Sequence, residues 1–236
     1  MCRTKRKEME YDTKGKVLKK NVTWQNLYFY RKSDVLYQLT VEFCHRYLPP
    51  YGDRTVDQMI QAARSGKQNI VEGSEDGQTS SEMEIKLINV ARGSLKELLL
   101  DYHDYLNTHH LPHWEKDNSR LVLLRKYCSS HFDYSDYAPL IEKMNDEEMA
   151  NMAITLCHQT DKLMYSYLQR LERLFVEQGG IKERMYAART GYRKAQDAHF
   201  QALEDENRQQ KAQIAALKKR IMELEDEIKR IKNKKI

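Results

Sequence analysis

The sequence predicts an all-α protein: an antiparallel four-helix bundle followed by a long C-terminal helix that forms a coiled coil. Three observations carry this reading. Only four prolines and nine glycines interrupt 236 residues, which leaves room for long helices. Apolar residues recur with helical spacing at Val56, Met59, Ile60, Ala63, Ile70 and Val71, and again at Leu87, Ile88, Ala91, Leu95, Leu98, Leu99, Tyr102 and Leu106. Each stretch therefore has one dry and one wet stripe, and two such helices cannot bury their stripes alone. Beyond Phe200 the apolar positions turn into heptads, the pattern of a coiled coil.

The elements follow in order. Residues 1–23 read as a flexible basic arm, and Trp24–Tyr30 as an aromatic lead-in. Helix 1 spans about Ser33–Tyr47, with Leu36, Leu39, Phe43 and Tyr47 on one face, and is ended by Pro49-Pro50-Tyr51-Gly52. Helix 2 opens at Asp53, a candidate N-cap, and a turn spans Gly73–Ser80. Ala62, Ala63 and Gly66 are small enough for a close helix approach. Ser81-x-x-Glu84 reads as a capping box opening helix 3, which runs to Leu106. From residue 107 to 144 the pattern weakens into an irregular insertion with short helical pieces near Arg120–Cys128 and Tyr137–Lys143. Asn145-x-x-Glu148 opens helix 4, whose Met149, Met152, Ala153, Leu156, Leu163, Met164, Tyr167, Leu171 and Phe175 keep helical spacing until Gly179-Gly180. The bundle thus covers 24–178, a basic linker helix 179–199, and the coiled coil 200–236.

In the last segment Ile214, Ile221 and Ile228 fall at a, and Leu217, Leu224 and Ile231 at d, preceded by Leu203 at d and by polar Asn207 and Gln210. Isoleucine at a with leucine at d favours parallel pairing of two copies. The flanking charges agree, because Arg220 at g faces Glu225 at e of a partner and Glu227 faces Lys232. Self-association is expected, with the number of copies left open. A single solvated helix, or one folded back on its own bundle, is the alternative.

Net charge is +5, but it is unevenly placed. Residues 1–20 carry +5 and 179–236 carry +6, whereas 21–178 carry −6. A uniformly basic nucleic-acid-binding bundle is thereby excluded, and a polyanion should prefer the ends or a local patch. No run of about 18 apolar residues marks a membrane span, and the basic N-terminus lacks the apolar core of a signal peptide. A cytoplasmic protein with no membrane partner is expected. Cys2, Cys44, Cys128 and Cys157 are widely separated and read as reduced thiols.

QAARSGKQNIVEGSED (Gln61–Asp76), LINVARGSLKELLLDY (Leu87–Tyr102) and the opening helix SDVLYQLTVEFCHRYLP (Ser33–Pro49) resemble the four-helix-bundle family named for proteins encoded in intervening sequences of bacterial large-subunit rRNA. The accessory variability proteins of diversity-generating retroelements share that bundle. The resemblance covers roughly residues 24–175, includes the NIVEG turn (Asn69–Gly73), and extends through GGIKERMYAARTGYRKAQ to a subgroup with a suffix domain. It implies the bundle fold. In its retroelement branch it also implies a basic, oligomeric nucleic-acid partner of a reverse transcriptase.

Few residues suggest chemistry. Glu42-x-x-His45 matches half of a bundle di-iron motif, but no second copy exists. Three histidines crowd Thr108–Trp114, with a proline and no nearby cysteine to give zinc-ligand spacing. Cys44-His45 and Cys157-His158 are helix neighbours whose side chains diverge by about 100°, so neither is a nucleophile–base pair. No Walker loop, GxGxxG, GxSxG or HExxH occurs. No catalytic residue, metal or cofactor is expected, and the chain does not read as an enzyme.

Two cationic sets remain as candidate nucleic-acid contacts. Lys182, Tyr186, Arg189 and Arg193 repeat along one helical stripe, with charges suited to phosphates and a ring suited to a base. Arg64 and Lys67 on helix 2, with Lys86, Arg92 and Lys96 on helix 3, form a second patch unless Arg64 and Arg92 pair with acids such as Glu72, Asp101 and Asp104 and hold helices together. The sequence therefore supports a non-enzymatic oligomeric accessory protein for RNA or DNA, with a reverse transcriptase as one candidate partner. The alternative is a coiled-coil scaffold for protein partners without nucleic-acid binding.

Overall fold

The computed structural model describes residues 23–49 and 54–233, and among them every regular element is a helix. A short 3-10 turn (Trp24–Asn26) precedes α1 (Tyr28–Tyr47), α2 (Arg54–Asp76), α3 (Ser81–Thr108), α4 (Ser119–Ser130), α5 (Tyr134–Ile141), α6 (Asp146–Gln178) and α7 (Ile181–Asn233). No helix among the described residues is long and apolar enough to cross a membrane. The chain divides into two compact units, one covering residues 17–184 and the other containing α7 from residue 185 onward.

In the first unit the four long helices close a ring of contacts: α2 packs on α3, α3 on α6, α6 on α1 and α1 on α2. The stripes read from the sequence are the buried ones, except that Phe175 near the end of α6 is 39% exposed. Leu36, Leu39 and Phe43 of α1, Met59, Ala63 and Ile70 of α2, Ile88, Ala91 and Leu98 of α3, and Met149, Met152 and Leu156 of α6 are sealed from water. Phe43 meets Tyr102 and Tyr105 edge-on, at 5.0 and 4.7 Å between ring centroids. The hydroxyls of this aromatic layer are satisfied: Tyr102 donates to Thr40 Oγ1 (3.0 Å), which donates to the Leu36 carbonyl (2.7 Å), and Tyr105 donates to Asp146 Oδ2 (3.1 Å).

The α2–α3 contact depends on small residues. A Cβ on Gly66 would stand 2.7 Å from Leu95 Cδ2, and one on Gly73 would stand 3.1 Å from Leu87 Cβ. Gly73 lies inside α2, which runs unbroken to Asp76. The turn expected at Asn69–Gly73, and the one drawn from Gly73, are therefore corrected. Helical hydrogen bonding continues through both, the glycine serves helix approach, and the connection is only residues 77–80.

Caps show a second difference. Ser80, not Ser81, caps α3, accepting from the Met83 N–H (3.2 Å). Ser81 is buried in the first turn, and Glu84 accepts instead from the Tyr167 hydroxyl of α6. The α6 box is as expected: Asn145 Oδ1 accepts from the Glu148 N–H (2.9 Å), and Glu148 accepts from the Asn145 N–H (3.3 Å). Helix α1 starts at Tyr28, earlier than the sequence pattern suggested, because Phe29 and Lys32 also face inward. The weakly patterned 107–144 region is a loop followed by α4 and α5, which pack on α6 and α1 respectively. The candidate cap Asp53, the 50–52 breaker and residues 1–22 of the arm lie outside the described residues.

Lys32 is only 2% exposed. Its ammonium donates to the Cys128 carbonyl and to Gln159 Oε1 (3.0 Å) and lies 4.7 Å from the centre of the Phe132 ring. Gln159 in turn donates to the Arg125 carbonyl (3.1 Å). The Cys128 carbonyl is one of the last four of α4, which have no helical partner of their own, and the helix dipole adds negative potential there. One buried cation thereby joins α1, α4 and α6. Burial lowers its affinity for the proton.

The α2–α3 seam gives a direct test. Gly66→Val is expected to lower the unfolding free energy by about 1–3 kcal/mol, because Leu95 must leave its rotamer. Gly93→Ala, whose Cβ meets nothing within 4 Å, is expected to raise it by roughly 0.5–1 kcal/mol as a helix-interior glycine. Urea unfolding of both variants checks the pair. A harmless Gly66→Val would show that α2 and α3 are not held by close approach.

Candidate functional site

The helices divide the cationic side chains into paired and unpaired groups. On α3, Arg92 forms a two-point contact with Asp161 of α6, Nε to Oδ1 at 2.7 Å and Nη2 to Oδ2 at 3.3 Å, and its guanidinium lies 5.2 Å from the Tyr165 ring centre. On α2, Lys67 pairs with Asp34 of α1 (3.1 Å) and sits over the Tyr37 ring (4.2 Å). Both are interhelical clasps. For Arg92 the acid differs from those the sequence offered, since Asp161 is distant in the chain. Lys86 pairs with Glu82 one turn away (2.8 Å). Arg64 and Lys96 remain exposed, with no ion pair among the described residues.

The surroundings of this patch are acidic. A groove of about 610 Å³ between α2 and α3 is lined by Asp57, Glu97 and Asp101 together with Arg54 and Ser65. Burial, then repulsion from Asp104 and Glu97, raises the Asp101 carboxyl above its ordinary value. Three carboxylates facing one groove are a poor surface for a polyanion.

The α7 residues have the opposite character. Lys182 in the first turn is exposed, and so are Tyr186 (72%), Arg189 and Arg193 further along. None of the four has an ion pair among the described residues. The ion pairs of α7 lie nearer its end, Arg208 with Asp205 (3.7 Å) and Arg220 with Glu223 (3.2 Å), both within one turn. Across the expected linker and coiled coil, residues 181–233 form one helix with no break. Leu203, Ile214, Leu217, Ile221 and Leu224 are between 41% and 63% exposed. The side chains of Ile228 and Ile231, and of Glu227 and Lys232, lie outside the described ones.

The other sequence candidates take structural positions. Glu42 binds Arg46 (2.6 Å). His109 stacks on Tyr105 (4.0 Å) with its Nδ1 2.9 Å from that residue's carbonyl. Among the described residues no group of three or more His, Cys, Asp or Glu could hold a metal ion. Cys44, Cys128 and Cys157 are free and buried. Burial pushes Cys44 up to about 12 and Cys128 up to about 11, and it raises Cys157 as well. They are protonated thiols at neutral pH.

One cluster is invisible to linear reading. His113 of the 109–118 loop, Arg125 of α4, and His158 and Lys162 of α6 come together around a single cleft. Three separate segments supply them, so no spacing rule identifies them.

The paired and unpaired cations should separate in stability measurements. Arg92→Ala is expected to cost about 1 kcal/mol, since Arg92 is only 16% exposed and its contact is two-pointed. Arg189→Ala and Arg193→Ala should leave the melting curve within experimental error. Equal losses at all three positions would mean that the α7 cations also make structural contacts.

In comparisons with known proteins, the chain matches no family model, no curated protein and no solved structure.

Proposed function

We propose that this protein is a non-enzymatic, cytoplasmic accessory protein that binds RNA or DNA as a self-associated particle, with α1, α2, α3 and α6 as an antiparallel four-helix bundle and α7 as the coiled coil. The observation that carries the reading is the partition of cations. Arg92 and Lys67 are committed to Asp161 and Asp34, whereas Arg189 and Arg193 of α7 have no acidic partner among the described residues and stand beside an exposed Tyr186. An unpaired cation next to an exposed ring is the local composition that single-stranded nucleic acid requires. Lys182, Tyr186, Arg189 and Arg193 are then the primary contacts. Arg64 and Lys96 are secondary, and Lys67 and Arg92 contribute mainly to the fold.

The exposed stripe from Leu203 to Leu224 supports self-association. Aliphatic side chains at a and d on an unaccompanied helix leave apolar surface in water, and a second copy is the occupant whose charges match at g and e. Repetition of a weak basic stripe on one particle raises affinity through effective concentration. The resemblance to the intervening-sequence and retroelement accessory family supports the same reading and makes a reverse transcriptase a candidate partner. The same stripe also favours a second reading, a scaffold that gathers protein partners without nucleic acid.

Two experiments decide. Neutralising Lys182, Arg189 and Arg193 together should weaken binding of single-stranded RNA across sequences and flatten its salt dependence by up to about three counterions per chain. If the parent protein binds no nucleic acid at low salt, the scaffold reading stands alone. Replacing Ile221 and Leu224 by polar residues removes two layers, each buried aliphatic being worth roughly 1.5–3 kcal/mol. Light scattering should then report a smaller particle. An unchanged mass would remove the coiled coil as the assembly element.

A further inference from the structure

We propose that the cleft between α4, α6 and the 109–118 loop binds a small organic phosphate with a flat apolar body, of the nucleoside-monophosphate class. The cleft measures about 350 Å³, within the range of small-molecule sites and far larger than one inorganic anion needs. This site is separate from the α7 stripe and does not rest on the nucleic-acid reading.

The floor is rigid and mostly apolar. Trp114, Leu121 and Ile154 line it and are at most 6% exposed. Its polar groups are already fixed. Asn151 Oδ1 accepts from the Trp114 backbone N–H (2.9 Å), and its amide donates to the Pro112 and Glu147 carbonyls (3.1 and 2.9 Å). The Trp114 indole N–H donates to Glu147 (2.6 Å). The loop is thereby pinned to α6 at three points, so the cleft exists before any ligand arrives and little ordering cost attends binding.

The rim carries two uncompensated cations and two imidazoles. Arg125, Lys162, His113 and His158 make no ion pair among the described residues. The one acid close to His158 on α6, Asp161, is held by Arg92. His113 is stacked on His103 of α3 at 4.7 Å with rings 10° from parallel, which fixes its plane. A guanidinium, an ammonium and imidazoles converging on one volume form a phosphate receptor. The apolar floor beneath suits a ring rather than a second charge.

The electrostatics of the rim agree. Partial burial, then Arg125 and His113, lower the proton affinity of His158 against the opposing pull of Asp161. Burial, then His113 and His158, lower that of His103 against Asp104. An anion placed among these groups relieves their mutual repulsion and must raise the titration midpoints in return.

The full-length protein is titrated at low salt with adenosine monophosphate, inorganic phosphate and adenosine, by calorimetry and by NMR of the histidine rings. The expected result is one saturable site per chain for the monophosphate, at least tenfold tighter than for either fragment. The His158 titration should move upward on saturation. Arg125→Gln with Lys162→Gln, both on exposed side chains, should weaken the monophosphate by more than tenfold while melting temperature stays put. Neutralising the α7 stripe should leave it unchanged, which separates this site from RNA binding. The proposal is overturned if the monophosphate fails to saturate, if inorganic phosphate binds as tightly, or if the double variant binds as the parent does.

Discussion

The close approach of α2 and α3 is the constraint on which the rest of the first unit depends. Gly66 admits Leu95, Gly73 admits Leu87, and Ala62, Ala63 and Ala91 keep the seam narrow. A hairpin this tight presents Met59, Ile70, Ile88, Leu98 and Tyr102 together, and α1 and α6 then close over that surface. Helix pairs joined by larger residues stand farther apart. At that spacing Tyr102 would not meet Thr40, and the buried hydroxyl would lose its partner, at a cost of about 1–3 kcal/mol.

Charge is then placed to hold the layers in register. Lys32 joins α1 to the C-terminal carbonyls of α4 and to Gln159 of α6. Arg31 reaches Asp133 at the start of α5, Arg92 ties α3 to α6, and Lys67 ties α2 to α1. Each joins segments far apart in sequence, and each withdraws a cation from the surface. Arg125 and Lys162 beside the cleft stay unpaired among the described residues, as do Arg64 and Lys96 on α2 and α3.

Much of the fold was legible in the sequence, because helix periodicity and burial are the same fact seen twice. Leu36, Leu39 and Phe43, or Met149, Met152 and Leu156, could be placed on inner faces from spacing alone. Local punctuation was less reliable. Gly73 reads as a turn residue in isolation, yet its missing Cβ is needed for helix contact, a distinction only the neighbouring helix can make. Ser80 and Ser81 are equally good caps by composition, and the outcome was settled by Glu84, which turns toward Tyr167 instead of closing a box. The candidate sites were legible only in part. A stripe within one helix, such as Tyr186, Arg189 and Arg193, follows from residue numbers. Whether Arg92 is free depends on Asp161, and whether His158 meets Arg125 depends on how α4 lies on α6. Neither is a property of a local window.

The long helix poses the complementary problem. Its apolar residues keep strict heptad spacing from Ile214 to Leu224, yet all of those described stand in water. Isolated helices are held together weakly by their own hydrogen bonds, and most helical stability comes from burying an apolar face. The intrahelical pairs of Arg208 with Asp205 and Arg220 with Glu223 add only about 0.2–0.5 kcal/mol each, less than one buried aliphatic provides. The free-energy gain that a partner offers α7 is therefore concentrated at Ile214, Leu217, Ile221 and Leu224. The charges around Tyr186 gain nothing from pairing of this kind, and they stay available for a polyanion. Under the proposed function, assembly and binding therefore fall on different stretches of the same helix, so each can be altered without the other.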